Sequence, residues 1–121
     1  MAGPFATAID EDGIISVVAR GFWSPADLER HFGELTTAVE AARGRSGMAR
    51  VLVDLRASSV QSQEIFDRLR EATSTIYGAD DRVAIVAEST LLTMQMRRLD
   101  AKAGRAAFTD ASEARSWLLS A

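Results

Sequence analysis

The most polar stretch of the chain with a capacity for chemistry lies between two predicted elements. It follows a short apolar run at residues 51–55, which is typical of a buried parallel strand, and it leads into a predicted helix. In open α/β sheets, ligands bind beyond the carboxyl ends of the strands, where free helix N–H groups favour anions. One hypothesis is therefore an anion or phosphate site, or a switch loop. The other, which the frequency of capping favours, is that the serine caps the helix and the aspartate bonds loop amides. The candidate residues are Asp54, Arg56, Ser58, Ser59 and Ser62.

A second set of candidates is apolar. Phe22 and Trp23 stand between a predicted strand and a predicted helix, where they can anchor a partner or pack on the core; we expect at least one in the core. The third predicted helix is apolar on more than one face, and its surplus residues suit a dimer interface, an adaptable pocket or incidental exposure. The candidate interface or pocket residues are Phe22, Trp23, Tyr77, Leu91, Met94 and Met96.

Catalytic constellations are missing from the sequence. The chain has no cysteine and one histidine, which excludes thiolate nucleophiles, Cys-ligated zinc and sites with several histidines. His31 lies beside Phe32 at the edge of a predicted apolar stripe and is interpreted as a boundary histidine. No nucleophile elbow, Walker loop or dinucleotide fingerprint is present. A site built from Asp54, Glu88 and His31 is the weakest hypothesis, and we predict a non-enzyme without metal or cofactor.

Charge and hydropathy restrict the partners. The net charge of −3 argues against general nucleic-acid binding. A local basic cluster indicates either an acidic partner or anionic head group or, as favoured here, a solvated face near a helix end. It comprises Arg97, Arg98, Lys102 and Arg105, with Asp100 among them. No signal peptide and no apolar run of about 18 residues is recognised, so a cytoplasmic location without a membrane span is expected.

The elements that must position these residues alternate along the chain. With 121 residues, of which 47% are apolar, a single domain over residues 1–121 is predicted. Strands are predicted at residues 5–9, 14–20, 51–55, 82–87 and 106–108. Helices are predicted to begin at caps Ser24 (with Pro25 and Asp27), Ser62, Ser89 or Thr90, and Asp110 (a capping box with Glu113), and three of them to end at Gly44, Gly78 and Gly104.

Apolar spacing predicts the buried face of each helix. The predicted stripes are Leu28, Phe32, Leu35, Val39 and Ala42; Ile65, Leu69, Ala72 and Ile76; Leu92, Met96, Leu99 and Ala103; and Ala114, Trp117 and Leu118. The resulting order, ββαβαβαβα, favours an α/β fold whose later strands are parallel, with the first hairpin at an edge. The strand order is not predicted.

The order of elements and several phrases resemble the SpoIIAA-like family, small bacterial proteins related to the STAS domain of anti-sigma-factor antagonists. The matching phrases are Gly21-Phe22-Trp23-Ser24-Pro25-Ala26-Asp27, Val51-Leu52-Val53-Asp54-Leu55-Arg56, Arg82-Val83-Ala84-Ile85-Val86-Ala87, Met94-Gln95-Met96-Arg97-Arg98 and Ala107-Phe108-Thr109-Asp110. The resemblance implies a five-stranded, mixed, mostly parallel sheet with four helices.

STAS antagonists of this kind are switched by phosphorylation of a serine in an Asp-Ser-Ser-Gly-like turn. Counted from Asp54-Leu55, the place of that serine falls near Gln63; Ser62 is one position off, and no glycine follows. The resemblance therefore implies a regulatory or protein-interaction domain without the standard phosphoserine switch, with a protein partner or a second copy bound around the second and third helices. The architecture also resembles domains that carry small apolar ligands or lipids, which gives an alternative function with a pocket near Trp23 and Met94.

Overall fold

One mixed sheet organises the molecule. The computed structural model describes residues 3–98 and 104–120. Within these ranges the chain forms five strands: β1 (Phe5–Ile9), β2 (Ile15–Gly21), β3 (Arg50–Ser58), β4 (Arg82–Val86) and β5 (Arg105–Phe108). The same ranges contain four helices: α1 (Pro25–Ser46), α2 (Gln63–Ile76), α3 (Thr90–Arg97) and α4 (Ala111–Leu119). None of these helices combines the length and apolar character that crossing a membrane requires.

The strands lie in the order β1-β2-β3-β4-β5. β1 is antiparallel to β2, and each later pair is parallel. The predicted mixed, mostly parallel sheet with the hairpin at an edge is therefore confirmed. Gly13, with φ of 79°, supplies the left-handed residue that the hairpin turn needs. The parallel order places the carboxyl ends of β2, β3 and β4 along one edge of the sheet.

Side-chain caps begin each described helix at the predicted residue. The hydroxyl of Ser24 accepts from the Asp27 N–H, and the Asp27 carboxylate accepts from the Ser24 N–H, so the capping box of α1 is complete. Ser62, Ser89 and Asp110 cap α2, α3 and α4. In α4 the bond to Asp110 comes from the Ser112 N–H, one residue earlier than the predicted capping box with Glu113 requires.

Several predicted boundaries and faces were wrong. α1 continues past Gly44 to Ser46, and the left-handed residue at its end is Gly47, with φ of 83°. β3 continues three residues beyond the predicted end, to Ser58. On α1 the predicted Leu28, Leu35, Val39 and Ala42 are buried, and His31 joins them with its imidazole stacked on Phe5 of β1, while the predicted Phe32 is half-buried against the core. On α2 the buried residues are Ile65, Phe66, Leu69 and Thr73; of the other predicted residues, Ile76 is half-buried against the core and Ala72 is half-buried. The predicted Leu99 and Ala103 lie outside the described residues.

Helices cover the two sheet faces unequally. α1, α2 and α3 pack on one face in the larger core, which includes Trp23, Leu35, Phe66 and Met96. α4 covers the other face alone, over β3, β4 and β5, where Leu118 packs in a smaller core. Trp117 is half-buried against this second core, as its predicted stripe requires.

An ion pair between the buried Asp81 and the partly exposed Arg43 closes the edge of the sheet that carries the amino ends of the parallel strands. We call this edge the amino edge. The Asp81 carboxylate accepts from the guanidinium of Arg43 and from the N–H groups of Ala49 and Gly78, the last two at 2.8 Å. Gly104 packs beside it with φ of 89°, and a Cβ there would lie 2.5 Å from the Asp81 carbonyl oxygen. The amino edge is therefore a tightly fitted structural element.

Candidate functional site

The opposite edge, called here the carboxyl edge, is organised by the side chain of Gln61. This buried residue follows β3 and reaches across to the end of β2. Its Oε1 accepts from the Trp23 N–H at 3.0 Å, and its Nε2 donates to the carbonyls of Gly21 (3.0 Å) and Ser59 (2.6 Å). One amide thus bonds to the backbone on both sides of Phe22 and fixes the β2–α1 connection against the β3–α2 connection.

Gln95 of α3 attaches a third segment to the same residue. Its Oε1 accepts from the Gln61 N–H at 3.1 Å, and its Nε2 donates to the Gln61 carbonyl at 3.0 Å. Both backbone groups of Gln61 are therefore paired with one side chain. Sequence reasoning missed both glutamines, since an amide residue in a loop carries no sequence pattern that distinguishes a buried bridge from a solvated side chain.

Exposed apolar side chains lie on the three segments that Gln61 joins. Phe22 is 75% exposed, Leu91 67%, Met94 53% and Val60 41%. Phe22 stands between two residues bonded to Gln61, Val60 precedes Gln61, and Met94 precedes Gln95. We call these four residues the apolar edge surface. A cluster of large apolar side chains held in water on rigid segments is typical of a binding surface.

In the predicted anion site, the two charged residues Asp54 and Arg56 pair with each other. Asp54 accepts from the Arg56 backbone N–H at 3.0 Å and from the Arg56 guanidinium at 2.9 and 2.7 Å. The hydrogen bond from the Arg56 guanidinium, despite an opposing effect of burial, lowers the pKa of Asp54. Asp54 raises the pKa of Arg56, with smaller contributions from Glu88 and Asp110. The Arg56 guanidinium is thus already paired with Asp54, and two further carboxylates favour its charged form, an environment that disfavours an added anion.

The three serines of the predicted switch loop have structural partners. The Ser58 hydroxyl donates to the Ala19 carbonyl at 2.8 Å, and the Ser59 N–H donates to the Gly21 carbonyl at 3.1 Å. The Ser62 hydroxyl accepts from the Ile65 N–H as the cap of α2. The Ser62 contact is the cap that the second hypothesis expects, and the contacts of Ser58 and Ser59 hold the loop against β2.

The six interface or pocket candidates divide into two places. Trp23, Tyr77 and Met96 line one cavity of about 50 Å³ between the sheet and the helices α1, α2 and α3. Phe22, Leu91 and Met94 are exposed and lie outside that lining. Trp23 connects the two places: its indole ring lines the cavity, and its backbone N–H bonds to Gln61.

His31 also lines this cavity, and burial lowers its pKa to about 4. A general base at neutral pH needs a pKa near 7, so this imidazole is poorly suited to that role. Among residues 3–98 and 104–120, no group of three or more His, Cys, Asp or Glu side chains could hold a metal ion.

The predicted basic cluster is only partly described. Arg97 and Arg98 are exposed at the end of α3. Arg105 on β5 donates to the Thr73 carbonyl at 3.0 Å and lies 5.2 Å from the centre of the Tyr77 ring. Lys102 and Asp100 lie outside the described residues. Of the described members, Arg97 and Arg98 are therefore solvated at a helix end, whereas Arg105 packs against the core.

Comparison with known proteins identifies the fold. One similar solved structure is an uncharacterized protein of the DUF3478 family with a SpoIIAA-like fold, from Shewanella loihica PV-4. It is 21% identical, with a TM-score of 0.60, over 94% of this chain and 91% of that chain. Another is the anti-sigma factor antagonist SpoIIAA in its unphosphorylated form, 14% identical, with a TM-score of 0.58, over 94% of this chain and 96% of that chain.

No family model matches the sequence, and no curated protein matches it. The structural likenesses cover almost the whole chain, so the fold is SpoIIAA-like, as the resemblance noted from the sequence implies. The five-stranded mixed sheet with helices on both faces is the architecture that this comparison identifies.

Proposed function

We propose that this chain is a non-enzymatic, STAS-like regulatory or interaction domain that binds a protein partner through the apolar edge surface, and that the first partner to test is a second copy of the chain. The observation that carries the proposal is the exposure of Phe22, Leu91 and Met94 beside a buried hydrogen-bonded network. The SpoIIAA-like fold supports it, because SpoIIAA is an anti-sigma factor antagonist, a protein whose described role is regulatory.

Preorganisation is the physical reason to place binding at this edge. Ordering side chains and loops on association costs free energy, and a rigid surface avoids part of that cost. Gln61 and Gln95 hold three segments in one arrangement through five hydrogen bonds. The aromatic ring of Phe22 and the flexible thioether of Met94 are side chains that recur in interface cores.

Charge around the surface indicates the chemistry of a partner. Asp54, Glu88 and Asp110 all raise the pKa of Arg56, so carboxylates outnumber the guanidinium in this part of the carboxyl edge. A partner with an apolar centre and basic residues around it would complement the surface, since complementary potentials assist specific association.

The residues near the switch position favour a domain that works without a phosphoserine. Counted from Asp54-Leu55, the place of the switch serine falls near Gln63, whose Nε2 donates to the Asp67 carboxylate at 2.8 Å. A glutamine has no hydroxyl group to phosphorylate. The neighbouring Ser62 hydroxyl is used as the cap of α2.

The test is sedimentation velocity of the wild type and of a Leu91→Glu/Met94→Glu double variant over a range of concentrations. If two copies associate through this surface, the wild type shifts to a dimer with concentration and the double variant stays monomeric. Leu119→Glu is the matched control, because Leu119 is a comparably exposed apolar residue on α4. It should dimerise as the wild type does.

A monomeric wild type would remove the homodimer and leave a different protein as the partner. Quantitative affinity purification from the source organism then compares the same three proteins. A specific protein retained by the wild type and by Leu119→Glu, and lost with the double variant, supports the surface. Equal recovery with all three would overturn it.

The alternative is a carrier of small apolar ligands or lipids with a pocket near Trp23 and Met94. Trp23 lines a cavity, whereas Met94 lies outside its lining. Pockets for drug-sized ligands measure about 300–1,000 Å³. The cavity at Trp23 has about 50 Å³, which is too small for a lipid with the helices in these positions.

A further inference from the structure

The cavity between the sheet and the helices α1, α2 and α3 has an apolar lining interrupted by a few polar groups. Phe5, Leu35 and Leu55 contribute apolar walls, and Trp23 and His31 contribute aromatic rings that carry nitrogens. The cavity is not fully enclosed, and its volume of about 50 Å³ is about one third of that of a cavity of about 150 Å³ that binds benzene. It therefore has room only for a molecule of a few non-hydrogen atoms.

Two buried nitrogens in this lining have no hydrogen-bond partner. Among the described residues, the buried side-chain polar atoms without one are Thr7 Oγ1, Trp23 Nε1 and His31 Nδ1. Trp23 is 5% exposed and His31 6%. Buried polar groups in native proteins are normally paired with protein or with ordered water, so two unpaired nitrogens on residues that line one cavity mark it as a place where a small molecule can pair with them.

The geometry points to a binding site in this cavity for a small uncharged molecule that carries a hydroxyl or carbonyl group, with that group at Trp23 and His31 and its apolar part against the remaining walls. This site is separate from the apolar edge surface and does not depend on the partner proposed for it.

The chemistry of the two nitrogens selects this class of ligand. The indole Nε1–H is a donor only, so the ligand must supply an acceptor. Burial lowers the pKa of His31 to about 4, which leaves the imidazole neutral at pH 7. The Phe5 ring stacks on it with centroids 4.2 Å apart. A carboxylate at this end would lose its hydration without gaining an opposite charge.

Arg105 is the arginine of the lining, and it already has partners there. It donates to the Thr73 carbonyl and lies over the Tyr77 ring, and both of these residues line the same cavity. Trp23 lies just before α1, and His31 lies in the first half of α1. The comparison with acetate below measures what the charge of Arg105 contributes to binding.

Three molecules of the same shape and size separate the possibilities: acetone, isobutene and acetate. Each is titrated into the 15N- and methyl-labelled wild-type protein at pH 7 and followed by NMR at the Met96 methyl and the Trp23 indole N–H. The Trp117 indole N–H is the internal reference, because Trp117 packs on the other face of the sheet. We expect acetone to shift the Met96 and Trp23 signals to saturation and to bind at least tenfold more tightly than isobutene or acetate.

Two variants locate the hydrogen bond. Trp23→Phe keeps an aromatic ring and removes the donor, so acetone affinity, read at Met96, should fall about tenfold. Trp117→Phe should leave it unchanged. Equal binding of isobutene would show an apolar cavity without a hydrogen-bonding role, tighter binding of acetate would show a charged ligand, and no saturable shift with any molecule would show that water alone satisfies the nitrogens. Each of these three results would overturn the proposal.

Discussion

The two edges of the sheet solve the same structural problem with different chemistry. At the amino edge, Asp81 ties the ends of α1 and α2 to the starts of β3 and β4 through buried charges. At the carboxyl edge, Gln61 ties the ends of β2 and β3 to α3 through neutral amides. At the amino edge the charge of Asp81 is paired within the protein, while at the carboxyl edge apolar side chains remain exposed to water.

This difference suggests a division of labour between stability and recognition. A buried charge that loses its partner is very costly, so the amino edge tolerates little change. An amide bridge costs less to lose, and the exposed residues around it contribute little to folding. The exposed residues of the carboxyl edge can therefore serve recognition with little effect on the stability of the fold.

The largest expected effect is at the amino edge. Asp81→Ala removes the acceptor of two backbone N–H groups, while the partly exposed Arg43 guanidinium keeps its bond to the Ile76 carbonyl, so we expect a loss of about 2–5 kcal/mol in the free energy of unfolding. Urea denaturation measures it. Asp80→Asn is the matched control, because Asp80 is the exposed neighbour and should change stability by less than about 0.5 kcal/mol. Similar losses in the two variants would contradict the division of labour.

Acid should distinguish Asp81 from His31, a buried residue in the first half of α1. Burial opposes ionisation of Asp81, but bonds from Arg43, Gly78 and Ala49 outweigh it and lower its pKa below the usual 3.8. Its stabilisation is present above that usual value and is lost as pH falls through the folded one. Burial lowers the pKa of His31 from 6.5 to about 4, so the unfolded chain binds a proton that the folded one does not. Stability should fall as pH drops from 6.5 to 4, by at most about 3 kcal/mol.

His31→Phe tests that second window. The variant should lose most of the slope of unfolding free energy between pH 6.5 and 4 and keep the loss at lower pH. Asp27, Arg30 and Glu34 line a surface depression beside His31 and remain in the variant, so any slope that they cause persists. An unchanged slope would mean that His31 titrates normally.

An intermediate effect is expected for Gln61. Gln61→Ala removes three side-chain hydrogen bonds and leaves the buried N–H of Trp23 unpaired, while the Gly21 carbonyl keeps its bond from the Ser59 N–H; the loss should be about 1–3 kcal/mol. Gln63→Ala is the control, since Gln63 is exposed and bonds only to Asp67 among the contacts described. If the amide positions the apolar edge surface, Gln61→Ala also weakens partner binding at temperatures where it stays folded. Binding and stability equal to those of Gln63→Ala would contradict this role.

The sequence predicted the elements because their determinants are local. The caps at Ser24 and Ser62 and the apolar run of β4 depend on neighbouring residues only, and they appear as predicted. The phase of the α1 stripe was less certain, because residues three and four positions after Leu28 fit a helix face equally well. Hydrophobicity alone selects Phe32, whereas Phe5, far along the chain on β1, provides a stacking partner for His31.

The candidate site was predictable in its parts and not in its arrangement. Exposure of Leu91 and Met94 follows from a helix with more apolar residues than one face can bury, and it was one of the open alternatives. The role of Gln61 depends on bonds to residues 34 to 40 positions away along the chain, in segments that only the strand order brings together. Nothing local distinguishes Gln61 from the exposed Gln63.

The smallest expected change in stability is at Phe22, and the buried neighbour Trp23 provides the contrast. Phe22→Ala should alter the free energy of unfolding by less than about 0.5 kcal/mol, because three quarters of its side chain is already in water. Trp23→Ala, one residue later, removes a ring buried in the core and should cost about 3–5 kcal/mol. Urea denaturation of both, with partner binding measured for Phe22→Ala, is the sharpest test of the carboxyl edge. If Phe22→Ala keeps full stability and binds at least tenfold more weakly, the ring serves recognition. A large loss of stability would instead assign Phe22 to the core, and the apolar edge surface would lose its most exposed member.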